Sequence, residues 1–276
     1  MDIYYVNGQF VKEENALISI KDLSVIRGYG VFDFLRTYND IPFRLKEHLN
    51  RLYNSACLIG LNLPFSTEDI EARIVKGISL SNHAEKNIRI VVTGGLSDNG
   101  ITPGNEPQLL LMITASRPFP STYYKNGAKL ITSHVDRFMP GAKTINYIPA
   151  ILCQNDAQSR GAIESIYIDR DGYLLEGTTS NFFAVRDGRL ITPPCDRVLP
   201  GITRQVVIEL AKGNFGVDER PIHKDEIRLL DEVFITSSVK EVIPIQTIDS
   251  VEVGKGFVGP ISQTIMRLFK EETKKV

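Results

Sequence analysis

The sequence predicts a two-domain α/β (α+β) chain, with a small N-terminal α/β domain over 1–115, an interdomain loop over 116–127 and a larger, strand-dominated C-terminal domain over 128–276. Three observations carry that prediction. With 276 residues, 42% of them hydrophobic, the chain can bury more core than one small domain needs. Its first half alternates short β-rich runs with two long amphipathic patterns, while its second half is mostly strands with Asp-Gly turns among them. Between the halves, Ser116-Arg117-Pro118-Phe119-Pro120-Ser121-Thr122 breaks both periodicities with two prolines.

Residues 3–6 and 9–11 are strand-like and flank Asn7-Gly8, the dipeptide best suited to a type I′ hairpin turn. Gly28-Tyr29-Gly30 leads into Val31-Phe32-Asp33-Phe34-Leu35-Arg36-Thr37-Tyr38, whose β-rich composition predicts a strand. After Pro42, Leu45, Leu49, Leu52, Ala56 and Ile59 recur at three-to-four spacing and predict an amphipathic helix; its other flank carries His48, Arg51 and Ser55. Ser66-Thr67-Glu68-Asp69 signals the start of a second helix that runs to about Leu80. Strands over 88–93 and 108–115 follow, separated by a loop over 94–107.

In the second domain the composition predicts strands over 129–134, 165–168, 173–175, 181–185, 189–191, 232–236 and 242–248. Arg170-Asp171-Gly172 and Arg186-Asp187-Gly188 carry the Asp-Gly hairpin signal. Helices are expected near 147–159, 203–212 and 260–270, the last presenting Val258, Ile261, Ile265 and Leu268 to the core.

Charge narrows the function. Lys+Arg 32 against Asp+Glu 33 gives a formal net charge of -1, which offers nothing to nucleic acid or an anionic membrane. No apolar run approaches the roughly 20 residues a bilayer requires, and the first residues lack a basic leader, so a soluble, cytoplasmic protein is expected. Cys57, Cys153 and Cys195 show no CxxC spacing, and His48, His83, His134 and His223 form no ligand pattern, so no metal is expected.

The most informative stretch is Met139-Pro140-Gly141-Ala142-Lys143-Thr144-Ile145-Asn146-Tyr147, which sets one lysine between a Pro-Gly turn and a helical pattern. Desolvation favours the neutral amine, which can add to a carbonyl carbon; a solvated surface lysine is the alternative. Pyridoxal phosphate needs a lysine for its aldehyde, an acid for its ring nitrogen, donors for its phosphate and a contact for its ring hydroxyl. Glu176 ends a strand ahead of Gly177-Thr178-Thr179-Ser180-Asn181, where it can serve as that acid or as a strand-end salt bridge. Leu199-Pro200-Gly201-Ile202-Thr203-Arg204 is a glycine turn entering a helix, suited either to a phosphate or to ordinary capping. Arg51 can fork onto phosphate oxygens or remain solvated, and Thr236-Ser237-Ser238 supplies hydroxyl and amide donors.

In this order and spacing, the chain resembles the fold-type IV (class IV) pyridoxal-phosphate aminotransferases, which include branched-chain aminotransferases, D-amino-acid transaminases and aminodeoxychorismate lyase. The resemblance covers nearly the whole chain. It rests on His48-Leu49-Asn50-Arg51-Leu52, Lys143 with Asn146, Leu175-Glu176-Gly177 with Ser180-Asn181-Phe182-Phe183, Leu199 to Arg204, and Thr236-Ser237-Ser238 with Glu241-Val242-Ile243-Pro244. It implies pyridoxal 5'-phosphate as cofactor and an α/β N-terminal domain joined to a larger pseudo-barrel domain. It also implies a homodimer whose subunits complete each other's sites. Lys143 would be the Schiff-base and proton-shuttling lysine, Glu176 the partner of the pyridine nitrogen, and Arg51, Ile202, Thr203 and Ser238 the phosphate holders. Tyr147 follows the lysine one residue sooner than in the bacterial branched-chain pattern, so ring-hydroxyl contact and helix packing both stay open for it.

The substrate class is less marked. The Arg-x-His carboxylate trap of bacillary D-amino-acid transaminases is absent, because Asp98-Asn99-Gly100-Ile101 stands in its place. Arg27, Arg89 and Lys240 are expected around the substrate's α-carboxylate, with Arg36 as a fourth cation and Phe32 and Phe34 as an apolar wall; structural ion pairs are the alternative for each cation. That set favours a D-amino-acid transaminase using a 2-oxo acid such as 2-oxoglutarate or pyruvate. A branched-chain L-aminotransferase and then aminodeoxychorismate lyase come next. A catalytically silent binding domain would have no use for Lys143 and Glu176 together.

Overall fold

The computed structural model describes residues 1–104 and 106–276; Asn105, inside the loop predicted over 94–107, lies outside the described residues. The chain divides into two compact units. One comprises Met1–Arg117, Ala142–Asn146 and Val276, the other Pro118–Gly141 and Tyr147–Lys275.

In the first unit Asn7 and Gly8 both adopt positive φ (51° and 82°), as a type I′ turn demands, and join strands β1 (Ile3–Val6) and β2 (Gln9–Val11). A five-residue helix α1 (Leu23–Arg27) precedes β3 (Gly30–Tyr38); it is too short to leave a periodic signal, and the sequence reading missed it. Asp22 caps it by accepting from the Ser24 N–H at 2.8 Å. Then come β4 (Ile41–Pro42), the helices α2 (Leu45–Leu58) and α3 (Thr67–Leu80), β5 (Lys86–Thr93) and β6 (Leu109–Ala115). The strands form one six-stranded sheet in the order β2-β1-β6-β5-β3-β4.

Alternation along β3 sorts its side chains. Val31, Leu35 and their β5 and β6 counterparts pack on Leu45, Leu49, Leu52 and Ala56 of α2 and Ile70 and Ile74 of α3. Gly77 lets α3 ride close to the sheet, since a Cβ there would stand 2.3 Å from Ile113 Cδ1.

Residues 142–146 fall outside the second unit, in which the sequence reading had placed them. Their backbone is bonded to β3: the Phe32 N–H donates to the Lys143 carbonyl at 2.9 Å, and the Ile145 N–H to the Gly30 carbonyl at 3.1 Å.

The second unit opens with α4 (Ser121–Asn126), β7 (Ala128–His134), α5 (Ile148–Ser159), β8 (Glu164–Ile168), β9 (Tyr173–Gly177), β10 (Asn181–Arg186) and β11 (Arg189–Thr192). It continues through α6 (Ile202–Lys212), β12 (Val217–Glu219), β13 (Ile222–His223), β14 (Glu232–Ser237), β15 (Glu241–Ile248), β16 (Val251–Glu252) and α7 (Pro260–Thr273).

Strands β10-β14-β15-β7-β8-β9 follow one another by pairing, and β9 pairs back to β10 through Glu176 and Asn181, which closes a barrel. Leu130, Ile166, Leu174, Phe182, Ala184, Val233, Ile235 and Ile243 fill one of its faces. The closing pair sets Glu176 beside Asn181, which in turn pairs with Thr236 at the end of β14. No helix among the described residues is long and apolar enough to cross a membrane, and no metal-binding group of His, Cys, Asp or Glu occurs among them.

Candidate active site

The first unit builds its site on β3 and α2. Asp33 points from β3 to the α2 side, where it is fully buried. Such a carboxylate persists only with strong partners. Arg51 supplies a two-toothed fork, with Nε to Oδ2 at 2.9 Å and Nη2 to Oδ1 at 2.8 Å, and His48 Nδ1 lies 2.6 Å from Oδ1.

Burial pushes the Asp33 carboxyl up, but Arg51 and His48 outweigh it and hold the group well below the usual carboxylate range. Burial also drives the His48 imidazole below its ordinary value, against the opposing pull of Asp33. A neutral imidazole beside an ionised Asp33 leaves Arg51 as the cation of the trio. The fork fixes the guanidinium plane, so the direction of Nη1 is set by Asp33 rather than by solvent.

One turn further along α2, the buried Ser55 hydroxyl donates to the Arg51 carbonyl at 2.7 Å and accepts from the Lys143 N–H at 3.1 Å. The Lys143 ammonium is half-buried, 4.6 Å from the centre of the Phe32 ring. On the same side of the sheet, the Arg89 guanidinium stands 5.4 Å from the Phe32 ring and 5.1 Å from the Phe34 ring, because Arg89 is directly opposite Phe34 in the β3–β5 ladder. Arg36 continues that side of β3 and lies over Tyr38 at 4.6 Å. Arg27, at the end of α1, is exposed and bonds the neighbouring Ile26 carbonyl at 2.9 Å.

The second unit gathers the acid and the anion-binding groups. Glu176 is buried at the barrel closure; Oε1 accepts from Arg137, and Oε2 from the Leu199 N–H at 3.0 Å. Asn181, its pairing partner across the closure, donates to the Leu199 carbonyl at 2.8 Å and so pins the turn into α6. That turn needs Gly201, since a Cβ there would fall 1.9 Å from Asn181 Oδ1. As the N-cap of α6, Gly201 has no side chain to cap the first helical N–H groups, which belong to the buried Ile202 and Thr203.

Ser238 lies half-buried in the turn after β14. Two positions before it, the Thr236 hydroxyl is buried without a partner. Uncapped helix amides, a buried orphan hydroxyl and a polar turn make a donor set suited to a phosphate. Tyr147 is the half-buried N-cap residue of α5, and it makes no side-chain capping bond there.

Lys240 departs from the expectation. Its ammonium donates to Glu164 Oε2 at 2.9 Å and to Thr179 Oγ1 at 2.5 Å, and both residues of the ion pair are buried. Glu164 also accepts from the Thr178 and Ser180 hydroxyls, each at 2.8 Å, and from the Thr179 N–H. Burial pushes its carboxyl up, but Lys240 and these donors hold it below the usual range. A fully buried acid in β8 needs a counter-ion, and Lys240 supplies it, so this lysine ties the turn after β14 to the turn after β9 instead of facing a substrate.

Sequence reasoning offered Asp33 as an ion-pair partner for strand arginines but missed its pairing with Arg51 and His48, and it missed Arg137 and Glu164 as partners altogether. Asp33 had left a signal, as the lone acid in an otherwise β-rich strand followed by a helix presenting His48 and Arg51. Arg137 and Glu164 left none.

Comparison with known proteins places the chain. The family model described as amino-transferase class IV matches residues 30–248. A putative branched-chain-amino-acid aminotransferase of Methanocaldococcus jannaschii is 34% identical over 274 residues, covering 97% of this chain and 95% of that protein. A D-alanine aminotransferase of Listeria monocytogenes is 34% identical over 274 residues, covering 97% and 94%. Among solved structures, a T.th. branched-chain amino acid aminotransferase with pyridoxamine 5'-phosphate superposes with a TM-score of 0.92 at 33% identity, covering 99% of this chain and 94% of that one. The chain belongs to the class IV, fold-type IV aminotransferases, a family of pyridoxal-phosphate-dependent enzymes.

Proposed function

We propose that this aminotransferase moves an amino group, in ping-pong order, between an amino acid and a 2-oxo acid such as 2-oxoglutarate or pyruvate, with D-amino acids preferred. The observation that carries the reading is the shared aromatic side of β3. Lys143 stands over Phe32, and Arg89 lies against both Phe32 and Phe34, so an amine and a guanidinium serve one apolar surface. That combination suits a small substrate with an α-carboxylate beside its reacting carbon.

When bound, pyridoxal phosphate supplies an aldehyde and an electron-accepting ring. Lys143 is its covalent anchor and then moves the proton on and off the substrate's α-carbon through Nζ. Arg51, its plane fixed by Asp33, holds the phosphate together with the α6 amides of Ile202 and Thr203 and with Ser238. Glu176, an ionised acceptor held at the barrel closure by Arg137 and the Leu199 N–H, takes the ring N–H of the cofactor. Tyr147 contacts the ring hydroxyl. For substrate, Arg89 takes the α-carboxylate, with Arg36 and the exposed Arg27 as outer cations. Lys240 is not among them.

The enzyme works as a homodimer with shared sites. Ile148, Ile151 and Leu152 expose one apolar side of α5, and Phe138 and Met139 are exposed in the segment before Lys143, as a chain that self-associates requires. Light scattering on the purified enzyme checks this, and a monomer that turns over normally would refute it.

A second reading is a branched-chain L-aminotransferase, favoured by the aromatic rings of Phe32 and Phe34, which offer an aliphatic side chain a dry wall. Mixing the holoenzyme separately with D- and L-alanine, glutamate and leucine, and following loss of its visible absorption, decides between them. Reaction with D-alanine ahead of L-leucine supports the first reading. Efficient reaction of L-leucine with no D-amino acid reacting establishes the second.

A further inference from the structure

We propose that Ser55 is a positioning residue that holds the cofactor-anchoring lysine at a fixed distance from the phosphate-binding arginine. The inference rests on the roles proposed above for Lys143 and Arg51.

The geometry is a closed circuit. From β3, Asp33 forks onto Arg51 of α2. One turn along α2, Ser55 donates its only proton to the Arg51 carbonyl at 2.7 Å, which leaves its oxygen as an acceptor. The Lys143 N–H donates to that oxygen at 3.1 Å. The circuit returns to β3 through the Lys143 carbonyl, which accepts from the N–H of Phe32, the residue before Asp33, at 2.9 Å. Both backbone polar groups of the lysine are therefore fixed, one by the strand and one by the helix.

Ser55 is fully buried, so no water is at hand to replace it. A serine back-bonded to the carbonyl four residues earlier slightly weakens its helix, and alanine would suit α2 better. The hydroxyl earns its place through its second bond, to Lys143. Because the amine must reach both the cofactor's aldehyde and the substrate's α-carbon, its working range is set by where the Cα is held.

Three variants test this. Ser55→Ala removes the acceptor, Ser55→Cys keeps the volume but offers a poor acceptor, and Ser55→Thr restores the hydroxyl. Ala and Cys should retain native circular dichroism. In both, the pH midpoint of the visible absorption of the lysine-bound cofactor should move by about half a unit or more, and apoprotein should bind pyridoxal phosphate several-fold more weakly. The half-reaction with amino acid should slow about tenfold with little change in half-saturating concentration, because misplacement penalises proton transfer more than substrate binding. Thr should bring midpoint and rate back toward native.

A native midpoint and native half-reaction rates in both Ala and Cys would overturn the proposal, whereas a helix-only role would move thermal stability but not the midpoint. Borohydride reduction of each variant separates the two levels of inference. Cofactor trapped on a lysine other than Lys143 refutes the underlying site reading, while trapping on Lys143 with a native midpoint and native half-reaction rates refutes Ser55 alone.

Discussion

The two units each bury an acid beside a cation, with opposite consequences. In the first, Asp33 occupies Nε and Nη2 of Arg51, a two-toothed contact that fixes the plane of the whole guanidinium. In the second, Glu164 takes the ammonium of Lys240, a compact charge with three donors, and Thr179 takes another. The first pair fixes the plane of a guanidinium between a strand and a helix, and the second knits two turns together. The two cations are thus told apart by what their partner acids connect.

Lys143→Ala breaks the comparison most severely, since it removes the group that the first unit's circuit serves. Turnover should fall by at least about 10⁴-fold with native circular dichroism, because the proposed covalent anchoring and proton transfer are both lost. Steady-state assays beside the far-ultraviolet spectrum measure it.

Glu164→Ala should leave turnover chemistry in place but destabilise the second unit by about 3–5 kcal/mol, because it strands a buried ammonium and several hydroxyl donors. If Glu164–Lys240 is structural, as its geometry says, the double variant Glu164→Leu with Lys240→Met should recover most of that loss in a urea titration. If Lys240 held substrate instead, the double variant would fold and still fail to bind it.

Acid sharpens the same contrast. Both acids have folded-state values held below their ordinary ones of 3.8 for Asp33 and 4.5 for Glu164. A depressed carboxyl contributes stability that is fully present above the ordinary value and is lost as pH falls from there toward the folded value. Urea midpoints should therefore be flat near neutrality and decline once the pH drops below about 4.5, Glu164 entering first and Asp33 next. In Asp33→Asn the decline should be shallower, and apoprotein should bind pyridoxal phosphate more weakly even at neutral pH, since Arg51 is no longer aimed.

What the sequence made legible follows the range of its interactions. The Asn7-Gly8 hairpin, the amphipathic α2 and the capped α3 are decided by neighbours within a few residues, and the structure has them where the pattern put them. Lys143, Glu176, Arg51 and the turn at Gly201 could be singled out because each sits at a strand end, helix flank or glycine turn with its own local signature.

The partners could not be read, because pairing is a long-range event. Glu164 and Lys240 are 76 residues apart, and Arg137 and Glu176 are 39 apart, with no periodicity to connect them. Lys240 looked like a substrate cation for that reason. The grouping of residues 142–146 with the first unit was equally hidden, since backbone bonds to β3 depend on no side chain.

Arg89→Leu tests whether the aromatic side of β3 reads a carboxylate. Removal of a charge-assisted contact costs about 1.5–3 kcal/mol, so half-saturating concentrations should rise by one to two orders of magnitude. A rise shared by alanine, leucine and glutamate identifies the α-carboxylate as the group bound. A rise confined to glutamate and 2-oxoglutarate would reassign Arg89 to side-chain recognition, and Arg36→Leu would then be expected to behave like alanine-sparing Arg89→Leu.

The smallest expected effect belongs to Glu176→Gln, which asks whether the acid at the second unit's barrel end serves the cofactor, as proposed, or only the fold, as Glu164 does. Glutamine has the same shape and can still accept from the Leu199 N–H, so the turn into α6 and its amides should keep their places. What it loses is charge: its amide group meets the Arg137 guanidinium donor to donor, and it offers the cofactor's ring nitrogen no anion. Cofactor should still bind, while each half-reaction slows by about tenfold, or roughly 1.4 kcal/mol in the barrier. Stopped-flow absorbance with amino acid and then with 2-oxo acid resolves the two halves. Near-native rates in both would mean that bonds within the fold, such as those to Arg137 and Leu199, account for all that Glu176 does. It would then stand with Glu164 as an acid that holds the barrel's end together, and the ring nitrogen would need another partner.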